Sequence, residues 1–276
     1  MRLMYLGDVV GRAGREKACQ VIPDLRRSLG LDFVAVCAEN AAHGFGLTAG
    51  IAQDFFASGA DALTLGNHAW DQREMIAYID REPRILRPIN YPVGTPGRGA
   101  MLYTTAAGRK VLVVQCMGRL FMDPLDDPFA AVNAELERFR LGGGVDAVIV
   151  DIHAEATSEK MALGHFCDGR ASLVAGTHSH IPTADAQILP GGTAYITDLG
   201  MCGDYDSVIG MKKDVSVSRF VRKMPTDKLS PATGDATVCG VVIQTDDRTG
   251  LAVSVHPIRI GGRLQSAMPV FDRETP

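Results

Sequence analysis

TLGNHAWD, residues 64–71, is the stretch of the sequence around which the other polar motifs are arranged. A short apolar run over residues 62–65 stops at a glycine and is followed at once by an amide, Asn67, and an imidazole, His68. After Asp71 the apolar spacing becomes helical. The order predicts a buried strand that ends at a functional loop, because ligands of open α/β sheets bind where the strands end.

The composition is that of a folded chain with a hydrophobic core of its own. The 276 residues are 46% hydrophobic, which is ample for a large core without disulfides. The 28 basic and 32 acidic residues give a net charge of -4 and are spread along the chain. They predict neither a long nucleic acid nor a membrane as partner, and we expect a small substrate instead.

Cysteine usage and hydropathy bear on location. The six cysteines form no CxxC pair, and several lie within apolar runs, which predicts reduced thiols. The first apolar run breaks at Asp8, too early for the core of a signal peptide, and no run approaches the roughly 20 apolar residues of a membrane span. We therefore expect a cytoplasmic protein.

Apolar runs alternate with helical patterns over most of the chain. Strands are predicted at 2–6, 33–38, 62–65, 110–116, 147–150 and 173–175, and helices at 16–29, 49–58, 72–80, 128–140 and 158–168. Later runs, at 193–197, 237–244 and 251–260, alternate like antiparallel strands, and we predict no helix between them. This order predicts an α/β sandwich whose sheets mix parallel and antiparallel strands.

One domain over residues 1–276 is expected, because the sequence contains no repeat and no long linker. Residues 90–99 are rich in proline and glycine and should form a surface loop. Residues 202–230 carry charges and few periodic apolar residues, and we interpret them as a lid or as a contact in a homo-oligomer.

Polar side chains with metal-binding chemistry stand at the ends of five predicted strands. They are Asp8, Glu39, Asn40, Asn67, His68, His153, His178 and His180. Each one alone has a plain structural explanation, as a turn former, a helix cap or a core histidine. Their recurrence favours a site, since carboxylate, amide and imidazole ligands suit manganese, iron or zinc.

The set is too large for one tetrahedral ion but suits two ions about 4 Å apart that share a carboxylate, as used for in-line attack on phosphorus. Glu39 is our candidate for the shared ligand, because it lies between the other early ligands in the chain and has two oxygens.

The motifs resemble those of calcineurin-like metallophosphoesterases, in the same order: GD at 7–8, GNH at 66–68, His153, and GTHSH at 176–180. More narrowly, LGDVVGRAGR, AENAAHGFGLT, LTLGNHAWD and TDLGMCG resemble the YmdB-type subfamily over nearly the whole chain. The resemblance implies a four-layer α/β/β/α sandwich. It also implies a dinuclear centre, often containing iron, that hydrolyses phosphodiesters including 2',3'-cyclic nucleotides.

By position, the resemblance implies that Asp8 and His180 bind one metal, that Asn67, His153 and His178 bind the other, and that Glu39 bridges them. His68 would be the proton donor to the leaving oxygen. The sequence departs from the wider superfamily at Val10, where a histidine ligand is usual, and at Glu39, where an aspartate is usual. The narrower subfamily shares both changes, and Asn40 is the candidate to replace the missing histidine. Metal preference therefore stays open among two divalent or mixed-valence ions, with iron first and manganese or zinc as alternatives.

Other residues are ambiguous. His43, in the loop HGFG, is expected either to touch the substrate phosphate or to be an ordinary polar loop residue. Arg12 lies in a glycine-containing stretch that matches neither GxGxxG nor GxxxxGK[ST], so it is a candidate substrate contact only. Asp198 is expected either to orient a metal-binding histidine or to shape a turn.

The functional hypothesis is attack on a small phosphodiester by a hydroxide that bridges two metals, with His68 as general acid. Two alternatives remain open at this point. One is a phosphomonoesterase or nuclease with the same centre, and the other is a metal-dependent nucleotide sensor with little turnover.

Overall fold

The fold is described by a computed structural model that covers residues 1–269 and 271. Its strands, in chain order, are β1 (Arg2–Leu6), β2 (Asp8–Val9), β3 (Phe33–Cys37), β4 (Ala62–Thr64), β5 (Ile85–Leu86), β6 (Ala100–Thr104), β7 (Lys110–Met117), β8 (Ala147–His153), β9 (Leu173–Thr177), β10 (Gln187–Ile188), β11 (Ala194–Ile196), β12 (Met201–Asp204), β13 (Ala236–Thr245) and β14 (Ala252–Ile260). Its helices are α1 (Gly11–Ser28), α2 (Ala49–Ser58), α3 (Glu74–Tyr78), α4 (Pro128–Arg138), α5 (Thr157–Cys167) and α6 (Lys213–Arg222).

The strands form two mixed sheets. The large sheet has the order β2-β12-β13-β1-β3-β4-β5, with β14 paired to β13. In it β1, β3, β4 and β5 are parallel, whereas β13 runs antiparallel to β1. The small sheet has the order β10-β11-β9-β8-β7-β6, and its central strands β7, β8 and β9 are parallel. The two sets of parallel strands are the ones that carry the polar motifs.

Three apolar cores separate four layers. Alternate residues of β1 show why: Met4 and Leu6 pack with the helices α1 and α2, whereas Leu3 and Tyr5 pack between the sheets. The third core lies between the small sheet and helices α4 and α5. Because side chains alternate across a strand, a strand buried on both faces is apolar without interruption. The predicted α/β/β/α sandwich with mixed sheets is thereby confirmed.

Most predicted elements are present, with shifted ends. Helix α1 begins at Gly11 instead of residue 16, so the stretch GRAGR is the first turn of a helix and not a loop. Close packing requires the glycine at position 14, because a Cβ there would lie 1.9 Å from the carbonyl oxygen of Cys202. The glycine therefore lets the helix pack closely on β12 and carries no phosphate-binding signature.

Of two expectations about the later part of the chain, one holds in part and one is wrong. Strand β11 runs antiparallel to β10 but parallel to β9, because alternation along a strand does not encode its direction. Helix α6 lies in a region predicted to have none. Its apolar residues point outward, with Phe220 77% exposed, and helical spacing identifies a helix only where an apolar stripe faces a core. Among the described residues, no helix is long and apolar enough to cross a membrane.

Candidate metal centre

The sequence-predicted ligands come together where the parallel strands of both sheets end. Asp8 begins β2 just after β1, Glu39 and Asn40 follow β3, and Asn67 and His68 follow β4. From the small sheet, His153 is the last residue of β8, and His178 and His180 follow β9. The carboxyl ends of β1, β3 and β4 thus meet those of β8 and β9 at one edge of the sandwich.

The first cluster is centred on His153. Its Nε2 atom lies 2.9 Å from Asn67 Oδ1, 3.1 Å from His178 Nδ1 and 3.3 Å from Glu39 Oε2. His153 and Glu39 are almost completely buried. These four ligand atoms belong to the residues that the resemblance assigns to one metal and to the bridge.

The second cluster is centred on Asp8, which is fully buried. His180 Nε2 lies 3.9 Å from Asp8 Oδ1, and the backbone N–H of His178 donates to Asp8 Oδ2 at 3.1 Å. Asp8, Glu39 and His180 offer ligand atoms within 4.8 Å of one another, and so do Glu39, His153 and His178. Glu39 is the residue that both of these groups contain.

Hydrogen bonds assign the protons on two of the histidine rings. His180 Nδ1 lies 2.8 Å from the carbonyl oxygen of Ile209, which only accepts, so Nδ1 carries hydrogen and Nε2 has a free lone pair. His178 Nε2 faces the carboxylate of Glu155 at 3.3 Å, which leaves Nδ1 free in the same way. Asn67 Oδ1 and Glu39 Oε2 also face the centre, close to His153 Nε2.

Asn40 supplies an independent sign of a cation site. Its Nδ2 donates to the carbonyl oxygen of Gly44 at 3.2 Å, whereas its buried Oδ1 has no hydrogen-bond partner among the described residues. A buried amide oxygen without a partner is costly, and buried polar groups are normally satisfied. Asn40 is also paired with Val10 through a backbone bridge. The residue with the orphaned oxygen is therefore the backbone neighbour of Val10, the position of the usual histidine.

The residues present therefore fit divalent cations. Carboxylates, amide oxygens and neutral imidazoles are the ligands of manganese, iron and zinc, and a cluster of buried acceptors needs positive charge to be stable. Glycine is required beside the clusters, because a Cβ on Gly66 would lie 2.3 Å from both Glu39 Oε2 and His153 Nε2.

Burial disfavours charge on both kinds of ligand. It raises the pKa of Asp8 and, more strongly, of Glu39, and the neighbouring carboxylate of Asp8 raises the pKa of Glu39 further. It lowers the pKa of His153 well below its usual value and that of His178 to about 4, with nearby histidines adding to both shifts. The imidazoles are thus held neutral, the state in which they bind metals.

His68 lies at the edge of the clusters. Its backbone N–H donates to Glu39 Oε2 at 3.2 Å, its ring Nδ1 lies 2.8 Å from Asp71 Oδ2, and the ring of Phe45 packs edge-on against it. Its side chain is 25% exposed. The ring is therefore oriented by a carboxylate and keeps access to solvent, as a proton donor to a substrate requires.

The two weaker candidates are placed differently. His43 is exposed, at φ 53°, in the turn directly after Asn40. Arg12 pairs with Glu16 at 2.6 Å, and its side chain is 78% exposed beside an open groove between α1 and residues 233–236. Neither side chain makes a described hydrogen bond to the clusters. Arg15, rather than Arg12, contacts the turn, through the carbonyl oxygen of Ala41 at 3.2 Å.

Asp198 contacts the loop backbone and not a histidine ring. It accepts hydrogen bonds from the backbone N–H of Ser179 at 3.0 Å and from Lys160 Nζ at 2.8 Å. The flanking residues His178 and His180 have φ values of 95° and 66°, in the region that side chains rarely adopt. The buried Lys160–Asp198 pair therefore anchors a strained loop whose two histidines face the centre.

Sequence reasoning missed several residues that contact the ligands. Cys37 donates from Sγ to Asp8 Oδ1 at 3.4 Å, Glu155 pairs with His178, and the buried Asp151 is linked to His153 through Thr177. Asp151 was hidden because β8 continues to His153, whereas the predicted strand ended at residue 150. A polar residue inside an apolar run, two positions before a ligand, is the signal that would have identified it.

Known proteins share this fold and these motifs. The profile of the YmdB-like protein family matches residues 4–258. The 2',3'-cyclic-nucleotide 2'-phosphodiesterase of Bacillus subtilis is 45% identical over 260 residues, which are 94% of this chain and 97% of the relative.

Solved structures agree with that match. A hypothetical protein from Thermus thermophilus is 42% identical with a TM-score of 0.88, covering 95% of this chain and 100% of the other. A phosphatase from Mycoplasma pneumoniae is 31% identical with a TM-score of 0.87, covering 95% of this chain and 93% of the other. The profile and these relatives span nearly the whole chain, and the chain therefore belongs to the YmdB-like family, as its motifs predicted.

Proposed function

We propose that the protein is a phosphoester hydrolase that uses two metal ions to cleave a small phosphodiester, with a 2',3'-cyclic nucleotide as substrate. The observation that carries this proposal is the position of Glu39, whose carboxylate belongs to two of the three groups of potential ligands, one with Asp8 and His180 and one with His153 and His178. A shared carboxylate between two cations is the arrangement that supports in-line displacement at phosphorus.

The residues divide into two metal-binding sets. Asp8, Asn40 and His180 would hold one ion, Asn67, His153 and His178 the other, and Glu39 both. Bound there, the ions would supply a hydroxide near neutral pH and neutralise charge on the phosphoryl oxygens. Iron is our first choice of metal, with manganese or zinc as alternatives, and metal analysis with anomalous scattering would identify and count the ions.

His68 provides the proton that the leaving group needs. Its Nδ1 is paired with Asp71, which orients the ring so that Nε2 is left to protonate the departing oxygen. A ribose oxygen is a poor leaving group without a proton. The pairing therefore favours an enzyme over a nucleotide sensor, which has no use for a proton donor.

The substrate class is supported by the relative from Bacillus subtilis, whose name specifies a 2',3'-cyclic nucleotide and cleavage at the 2' position. The test is hydrolysis of 2',3'-cyclic AMP, 3',5'-cyclic AMP, 3'-AMP and 4-nitrophenyl phosphate by protein loaded with iron or manganese, with and without chelator. We expect chelator-sensitive cleavage with kcat/KM highest for the 2',3'-cyclic ester. Faster cleavage of the monoesters would contradict the proposed substrate. If none of the four compounds is cleaved in a metal-dependent way, the proposal that the protein is a metal-dependent hydrolase is wrong.

A further inference from the structure

A buried polar group lies directly beneath the metal centre, between the two sheets. Asp151, on β8, is fully buried. Its Oδ2 accepts hydrogen bonds from the hydroxyl of Tyr5 at 2.5 Å and from Gln115 Nε2 at 2.7 Å, and its Oδ1 accepts one from Thr177 Oγ1 at 2.8 Å. Burying a carboxyl group is unfavourable unless its oxygens are satisfied. The three hydrogen bonds satisfy both oxygens of this buried carboxyl group and fix its orientation.

The Thr177 contact leads to a ligand of the first cluster. Thr177 Oγ1 also lies 2.9 Å from His153 Nδ1. A hydroxyl has one hydrogen, and a bond to a carboxylate is roughly twice as strong as one to a neutral acceptor. Thr177 therefore donates to Asp151 and accepts from His153. This order leaves hydrogen on Nδ1 of His153 and a free lone pair on Nε2, the atom that faces the other ligands of the cluster.

The Gln115 contact leads to the other sheet. Gln115 Nε2 donates to the carbonyl oxygen of Leu65 at 2.7 Å, and its Oε1 accepts from the backbone N–H of Leu65 at 3.1 Å. Leu65 stands two residues before Asn67. The Tyr5 hydroxyl also lies 2.7 Å from Thr64 Oγ1, on the strand that ends there. The backbone that carries Asn67 is thus tied to a side chain of the small sheet.

We propose that Asp151 is a positioning residue of the metal centre: through Thr177 it sets the proton on His153, and through Gln115 it holds the strand end that carries Asn67. The two links converge on the pair of ligand atoms that lie 2.9 Å apart, His153 Nε2 and Asn67 Oδ1. A ligand's partner beyond the metal fixes its tautomer and orientation. The inference rests on the proposed function only for its effect on catalysis, because the proton position is a property of the metal-free protein.

The direct test is the tautomer of His153 in metal-free protein, read from long-range ¹⁵N–¹H correlations of the ring. We expect hydrogen on Nδ1 in the native chain. Thr177→Val removes the acceptor and should move His153 to the Nε2–H form or to a mixture, whereas Thr177→Ser should keep the native spectrum. Hydrogen on Nε2 in the native protein would overturn the inference without any variant.

Metal affinity separates the two links. Thr177→Val should weaken binding of zinc, measured by competition with a chelator, by about 10- to 100-fold, and Thr177→Ser should restore it. Gln115→Leu should weaken binding by a similar factor but leave hydrogen on His153 Nδ1. Ser172→Ala, which removes another buried hydroxyl of the small sheet with bonds to Val148 and Gly250, is the matched control and should change neither quantity.

The outcomes distinguish this inference from the proposed function. Native zinc affinity in Thr177→Val would overturn the positioning role even if the enzyme cleaves cyclic nucleotides. Failure to cleave any phosphodiester, with the expected tautomer and affinities, would contradict the function and leave the positioning role standing.

Discussion

The large and the small sheet supply different chemistry to the same crevice. The large sheet contributes the candidate oxygen ligands, from Asp8, Glu39, Asn40 and Asn67, together with His68. The small sheet contributes the candidate imidazole ligands, from His153, His178 and His180. Neither sheet alone offers a complete ligand set, because the described groups of potential ligands combine acids of one sheet with histidines of the other. The candidate metal centre therefore depends on the way in which the ends of the two sheets meet.

The two sheets also respond to burial in opposite ways. Burial raises the pKa of the carboxylic acids Asp8 and Glu39, which favours protonated acids, and lowers the pKa of His153 and His178, which favours neutral rings. Both shifts favour the neutral form, which is the metal-binding form of an imidazole but not of a carboxylic acid. A bound cation would therefore offset the unfavourable burial of negative charge on the large sheet.

Replacing Glu39, the proposed shared ligand of the two metals, should have the largest effect. Glu39→Gln keeps the size of the side chain but loses its charge, so we expect both metals to be lost and turnover to fall by about 1,000-fold or more. Metal analysis and a phosphodiester assay would measure this. Glu137→Gln, on the exposed face of α4, is the control. Two metals retained at native occupancy would contradict the shared role.

His68→Ala tests the one residue of the large sheet that is proposed to act on protons. Turnover of a substrate with a poor leaving group should fall by about 100- to 10,000-fold, because a general acid contributes that much, and metal content should be unchanged. The loss should shrink for a 4-nitrophenyl diester, whose leaving group needs no proton. His165→Ala, on the exposed part of α5, is the control, and full activity of His68→Ala on the poor leaving group would refute the role.

Asn40→Ala addresses the weakest ligand of the large sheet. If the orphaned Oδ1 binds a cation, its loss should weaken one of two metals by about tenfold or more and spare the other. Titration of metal-free protein with zinc would separate the two sites. Asn133→Ala, a surface amide of α4, is the control. Unchanged zinc affinity at both sites would contradict the proposal that Asn40 replaces the histidine ligand that is usual at position 10.

The pattern of residues predicted the long buried strands and all the helices but α6, and it missed the strands β2, β5, β6, β10 and β12. Parallel strands buried on both faces are continuous apolar runs, so β1, β3 and β9 were identified with ends shifted by two residues at most. The start of α1 was missed because its glycines are typical of loops, and α6 because its apolar side chains face solvent.

The candidate ligands themselves were local features. Each stands at the end of an apolar run, and its residue type determines which metals it suits, so the order of motifs along the chain was sufficient to name them. Asp151 was not identified, because a single polar residue inside a strand resembles the end of that strand. Gln115 was placed inside the predicted strand at 110–116, where no neighbouring residue indicates its contacts with Leu65 and Asp151.

The residue types are read directly from the sequence, and the strand ends can be predicted from residues a few positions away. The distances between the candidate ligands cannot be predicted in this way. Glu39 and His153 are far apart in the chain and follow strands of different sheets, yet their ligand atoms lie 3.3 Å apart. The pairing of β8 with β7 and β9 brings Asp151 beside Gln115 and Thr177, and the packing of the two sheets adds the third donor, Tyr5. Which nitrogen of His153 carries hydrogen depends on that packing, because the assignment rests on a hydroxyl and a carboxylate buried between the two sheets.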